Sequence, residues 1–152
     1  MKKYPRPMAS ITLVGENVRI TPGILQKFVK ALSDKLINVY NISIGEYSLS
    51  LFVDQEYVKK AEEALEGAAE SLPSFNSIDL KENMGLISIS SSEFVDTPGL
   101  INKLTQPLAG KSINIVAISS SFDSILIFLE WENVDSAYET LHLAIVNRKI
   151  KL

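Results

Sequence analysis

Apolar residues recur along this chain at two different spacings. Leu49, Leu51 and Val53 alternate with polar neighbours over Ser48–Val53, and the run Ile37–Ile44 reaches that segment through a short connection containing Gly45. This pattern predicts a β-hairpin. Val58, Ala61, Leu65, Ala68 and Leu72 follow at steps of three and four, with Lys59, Lys60, Glu62, Glu63 and Glu66 filling the remaining positions. That predicts an amphipathic helix with a narrow apolar stripe. Leu25, Phe28 and Leu32 form a similar stripe before the hairpin, preceded by the β-rich run Ile11–Val14. Beyond the second helix, Pro73 marks a turn and Ser77–Leu80 reads as a fourth strand. The resulting order, βαββαβ, is the ferredoxin-like arrangement, in which two helices lie over one face of an antiparallel sheet.

The same order occurs twice. Residues 10–68 align without a gap to residues 86–144, with 19 identities over 59 positions. Unrelated stretches of this composition agree at only about one position in fifteen. The matches include Thr21-Pro22-Gly23 with Thr97-Pro98-Gly99, Ile37-Asn38 with Ile113-Asn114, and Ile42-Ser43 with Ile118-Ser119. The second copy keeps both stripes, as Ile101, Leu104 and Leu108 and as Val134, Ala137, Leu141 and Ala144, and its first strand is Leu86–Ser90. Lys149–Leu152 is the candidate for its fourth strand. The chain therefore divides into a module at 8–82 and another at 83–152, each close to the lower size limit for independent stability.

Thr-Pro is a helix start with a physical basis. The threonine hydroxyl can cap an orphan N–H, and proline at the first helical position gives up a donor that has no partner there. Both first helices are expected to begin in this way. Pro107, aligned with Ala31, is expected to kink its helix.

Composition narrows the function. Cysteine is absent, which excludes disulfides, thiolate metal sites and a cysteine nucleophile, and His142 is the sole histidine. On the second helix of its module, with no companion ligand nearby, His142 reads as a surface or structural residue. Net charge is −3 and the Lys and Arg residues form no dense stripe, so a nucleic-acid partner is not expected. No apolar run approaches the roughly 18 residues of a membrane span, and the opening Met1–Pro7 lacks the apolar stretch of a signal peptide. A cytoplasmic protein acting on a small molecule or another protein is the expectation.

The segment Gly15-Glu16-Asn17-Val18-Arg19-Ile20-Thr21-Pro22-Gly23-Ile24 resembles the aspartokinase-type ACT signature, with Val18 in the place of methionine. Ile37-Asn38-Val39, Ile42-Ser43 and Leu49–Val53 are similar to the run that follows it in that family. Asp96-Thr97-Pro98-Gly99-Leu100, Pro107-Leu108-Ala109 and Ile113-Asn114-Ile115 resemble a looser form of the pattern. The resemblance implies two ACT modules paired side by side, no catalytic activity and no cofactor. It also implies an allosteric role in amino-acid biosynthesis, exerted through a homodimer and directed at a biosynthetic enzyme of the aspartokinase kind.

The effector implied is a small amino acid, held between the first strand, the first helix and the second strand. In the second module the site residues would be Asp96, Thr97, Pro98, Gly99, Leu100, Asn114 and Ile115. In the first they would be Arg19, Thr21, Pro22, Gly23, Ile24, Asn38 and Val39. Free amides at each helix start suit a carboxylate. Asp96, Asn38 and Asn114 offer acceptors for an ammonium group. Asparagine at a helix-to-strand turn also serves local backbone bonding, and an arginine in a loop is commonly a solvated charge.

Two departures bear on the first module: Ile20 stands where the second has Asp96, and Ile44 stands where aspartokinase modules often carry glutamine. Two other readings of the fold remain. One is an acylphosphatase-like hydrolase using Arg19 with Asn38 or Asn41, which the loop's single glycine disfavours. The other is an assembly module without ligand.

Overall fold

The two halves of the chain repeat each other's backbone in detail, including its rare conformations. Gly23 and Gly99 have φ of 83° and 79°, and Leu36 and Ser112 have φ of 59° and 56°. Ile37 N–H donates to the Leu32 carbonyl and Ile113 N–H to the Leu108 carbonyl, each at 3.0 Å. The computed structural model describes residues 1–18, 21–72, 74–91, 94 and 98–147. The expected strand at Lys149–Leu152 lies outside the described residues.

The chain separates into two units, Met8–Asn83 and Met1–Pro7 together with Met84–Leu152. The elements in chain order are β1 (Lys2–Lys3), β2 (Met8–Gly15), α1 (Ile24–Asp34), β3 (Asn41–Ile44), β4 (Ser48–Asp54), α2 (Val58–Ala69) and β5 (Phe75–Ser90). They continue with α3 (Leu100–Ala109), β6 (Ile115–Ser120), β7 (Ser124–Glu130) and α4 (Val134–Val146). A single 3₁₀ turn precedes α2 and another precedes α4. In the first unit the strands are ordered β3-β4-β2-β5. In the second, β5, β7 and β6 run in that order and β1 pairs with β5. The first and second strands of the hairpins are antiparallel neighbours, as the alternation predicts.

Each unit buries one sheet face under its helices. In the first, Ile11, Leu13, Leu49, Leu51 and Val53 meet Ile24, Phe28 and Leu32 from α1 and Val58, Ala61 and Leu65 from α2. Phe28 meets Phe75 edge-on, with ring centroids 5.1 Å apart. In the second, Ile87, Ile89, Ile125, Ile127 and Leu129 meet Leu100, Leu104 and Leu108 from α3 and Val134, Ala137, Leu141 and Ala144 from α4. The inward residue at the start of each first helix is thus Ile24 or Leu100. Leu25 is only partly buried, and Ile101 is 43% exposed. Helix α4 lies so close to β5 that a Cβ at Gly85 would overlap Val134 Cγ2. Any larger residue there must push the helix away.

Three expectations need correction. The Thr21-Pro22 pair does not cap α1: the residue at the cap is Gly23, and α3 likewise has Gly99 at its cap, both in left-handed conformation. Thr21 instead turns its hydroxyl back to donate to the Asn17 carbonyl at 2.8 Å. Strand β3 is shorter than the apolar run suggested, because Ile37 turns into the core while Asn38 and Val39 complete the turn out of α1. Finally, the fourth strand of the first unit and the first strand of the second are one strand of 16 residues, β5. It stays continuous through Asn83, whose φ of 57° is tolerated by asparagine far better than by most side chains. Pro107 lies inside α3, which runs on to Ala109.

Leu36 holds a left-handed conformation with its side chain 91% exposed. It pays the steric cost of that conformation and regains nothing from burial. Leu36→Gly is therefore expected to raise stability by about 1 kcal/mol in urea unfolding.

Candidate functional site

The chemistry offered at each first helix follows from its glycine cap. Glycine has no side chain to return a bond, so the first-turn amides receive none from the cap residue. The first intrahelical bonds run from Lys27 N–H to the Gly23 carbonyl at 3.0 Å and from Lys103 N–H to the Gly99 carbonyl at 3.1 Å. Neither first turn carries an acidic residue to neutralise its positive end. Around each glycine the space is open, since a Cβ would meet nothing within 4 Å. What requires glycine at both positions is the backbone angle, while the open space leaves the main chain approachable.

In the second unit this helix start borders a cleft of about 240 Å³, lined by Phe94, Gly99, Leu100, Ile101, Ser120, Ser121 and Ile125. Its apolar floor belongs to the core: Phe94, Leu100 and Ile125 are all buried members of the hydrophobic cluster. Its polar wall is the end of β6 and the start of the loop to β7. There Ser121 Oγ lies 2.7 Å from Ser124 Oγ and donates to Asp123 Oδ1 at 3.2 Å. Phe122 at the tip of this loop is 81% exposed. The arrangement suits a small molecule with an anionic group for the helix amides, hydrogen-bonding capacity toward the serines and modest apolar bulk.

The sequence-derived residues fall into three groups. Gly99 and Leu100 line the cleft, the latter with its side chain turned into the core, and Pro98 is exposed just before them. In the first unit Thr21, Pro22 and Gly23 are exposed in the turn before α1, and Ile24 is buried. Asn38 and Asn114 are exposed, and Val39 and Ile115 half-buried, beyond the far ends of α1 and α3. Helix α3 has 10 residues, so its far end, beyond which Asn114 lies, is about 15 Å along the axis from Gly99. Within one unit the structure does not bring the asparagine to the helix start. Arg19, Asp96 and Thr97 lie outside the described residues.

Phe94, Ser120, Ser121 and Ile125 were not singled out by sequence reasoning, and Ile101 was placed on the core stripe of its helix, not at a site. A signal for Phe94 existed: it aligns with Val18, the position where the family signature has methionine, and both are buried. The serines gave no such signal. His142 is exposed on α4 with its ring parallel to Tyr138 at 6.3 Å. Among the described residues no group of three or more His, Asp or Glu side chains is placed to hold a metal ion. Among the same residues no helix is long and apolar enough to cross a membrane.

Comparison with known proteins agrees with the duplication. Residues 11–68 match the ACT domain, and residues 79–143 match an ACT domain again. Aspartokinases from two strains of Helicobacter pylori are 28% identical over 132 residues, covering 84% of this chain and 32% of theirs. The chain thus spans about a third of the length of these curated relatives. The ligand-free regulatory subunit of aspartate kinase from Thermus thermophilus superposes with a TM-score of 0.80 at 26% identity, covering 95% of each chain. Clostridium acetobutylicum aspartate kinase gives a TM-score of 0.82 at 20% identity, covering 91% of this chain and 33% of that one. At that identity the likeness is one of fold.

Replacing Gly99 by alanine tests how firmly the helix start is set. The side chain meets no neighbour but opposes the φ of 79°. A loss of about 1–2 kcal/mol is expected in urea unfolding.

Proposed function

Because the chain belongs to the ACT domain family and carries two of its modules in tandem, we propose that it is an amino-acid-sensing regulatory unit of the aspartokinase type. The observation that carries this reading is the cleft at the start of α3, where a helix start without a side-chain cap, two serines and an apolar floor meet. A carboxylate bound there gains hydrogen bonds from donors that the helix itself leaves unused.

The separation of Gly99 from Asn114 adds a geometric requirement. A zwitterion that uses a helix start for its carboxylate and an asparagine-bearing strand for its ammonium must take the two from different modules. We assign that role to a second copy of the chain. Strands β3 and β6 are edge strands, each the last in its unit's strand order. On β3, Ile42 and Ile44 are 39% and 46% exposed. Such an edge gains both hydrogen bonds and apolar burial by meeting another. The active species is accordingly a homodimer, and effector binding favours one of its arrangements over another. The enzyme it acts on is a catalytic partner or catalytic region of the aspartokinase kind, and the setting is the cytoplasm.

A thermal-shift screen of the twenty amino acids tests the reading. A ligand at about a hundred times its Kd stabilises the native state by about 2.7 kcal/mol. One amino acid, or a small set of close chemistry, is expected to raise Tm. In Ser120→Phe, which fills the cleft from an exposed position, that rise is expected to vanish while the unliganded Tm stays within a few degrees. Twenty flat responses, confirmed by calorimetry at millimolar ligand, would leave an assembly module. Light scattering is expected to show a dimer at micromolar concentration; a monomer with and without ligand would remove the two-copy site.

A further inference from the structure

Residues Met1–Pro7 are far in sequence from the unit they complete, since the whole of Met8–Asn83 separates β1 from the part of β5 that it pairs with. Strand β1 occupies the outer side of β5, the place that the first unit fills with the opening half of β5. Its hold is small. Lys2 pairs with Ser88 and Lys3 with Ile87, and Tyr4 N–H donates to the Leu86 carbonyl at 2.8 Å. Lys3 shares the helix side of the sheet with Ile87. There its ammonium meets the Asp135 carboxylate and lies 6.0 Å from the centre of the Tyr138 ring. Met1 packs against the second unit's core. The ion pair is 39% and 77% exposed at its two side chains, which makes it a weak anchor. Fixing seven residues against it costs backbone entropy at every position.

The first unit offsets that cost through its own topology. Strand β2 starts at Met8 and ends at Gly15, where Glu16 N–H donates to the Ser74 carbonyl at 2.8 Å. Strand β5, its hydrogen-bonded neighbour, starts at this same end with Phe75 and runs back. The first unit is therefore entered at Met8 and left at Asn83 from one side. While it is folded, Pro7 and Met84 are held close and β1 is delivered to the edge of β5. When it unfolds, the same pairing must close a loop as long as the entire unit, and the effective concentration of β1 falls by about several hundred-fold.

We propose that the first module acts as a clamp for the strap Met1–Pro7, so that the stability of the second module, with its cleft, is tied through this strap to the folding of the first. A ligand that stabilises either module then stabilises both, whichever of the two carries the effector.

Trp131, the single tryptophan of the chain, packs against the second unit's core and reports on that unit. Phe28 is fully buried in the first unit. In urea unfolding of the full chain, Phe28→Ala is expected to lower the folding constant read at Trp131 by more than about tenfold. The same substitution is then made in a Tyr4→Pro background, which removes the N–H donated to Leu86. Its effect at Trp131 is expected to shrink to less than about twofold. Coupling that bypasses the strap would survive Tyr4→Pro. A Trp131 transition unmoved by Phe28→Ala, or moved equally in both backgrounds, therefore overturns the proposal. Phe28→Leu supplies the milder perturbation should Phe28→Ala abolish folding.

Discussion

One strand, β5, carries more of this structure than any other element. Its first half completes the sheet of one module and its second half opens the sheet of the next, with no intervening loop to absorb error. Asn83 is the point at which the backbone changes hand, and Gln55 holds it there: Gln55 Oε1 accepts the Asn83 N–H at 2.6 Å and Gln55 Nε2 donates to Asn83 Oδ1 at 3.2 Å. Both hydrogen-bonding ends of one side-chain amide are spent on a single residue. The side-chain period of a strand is two, so a slip of one residue in β5 would turn Ile87 and Ile89 out of their core. The duplicated helices and hairpins can form only around a register fixed in this way.

Around that strand the two copies solve one packing problem with different side chains. Phe28 in the first is Leu104 in the second, and Ala9, fully buried, is Gly85. The missing methyl at Gly85 lets α4 approach until Val134 fills the space. Compensation of this kind, volume lost in one position and recovered by an approach elsewhere, is how a core keeps its density through sequence change. The backbone angles at the helix ends have changed far less than the side chains, since they are dictated by the turn and not by the filling.

Much of this architecture was legible in the sequence because burial is one-sided and periodic. Val58, Ala61 and Leu65, and their counterparts Val134, Ala137 and Leu141, could be placed on a helix face from spacing alone. The joining of two strands into β5 was not legible, because Asn83-Met84-Gly85 has the composition of a turn and only tertiary pairing keeps it extended. The helix starts were misplaced for a related reason: Thr-Pro and Pro-Gly are both plausible openings, and the choice rests on a left-handed glycine that composition does not reveal. At the cleft, Gly99 and Leu100 were found through the repeat. Ser120 and Ser121 came to the same place by folding back from the far end of a strand, which no local pattern encodes. The pairing of Lys2–Lys3 with β5 was hidden too, since two lysines and two prolines give no hint of a strand.

The distance along α3 between its glycine and the asparagine beyond its far end has a consequence for how such a protein would behave in a cell. Under the proposed two-copy site, the protein would respond to the abundance of its own subunits as well as to the amino acid. Sparse expression would leave the pool deaf even when the metabolite is plentiful, whereas abundant expression would sharpen its response. Dosage of the polypeptide would in that way set the threshold at which feedback begins.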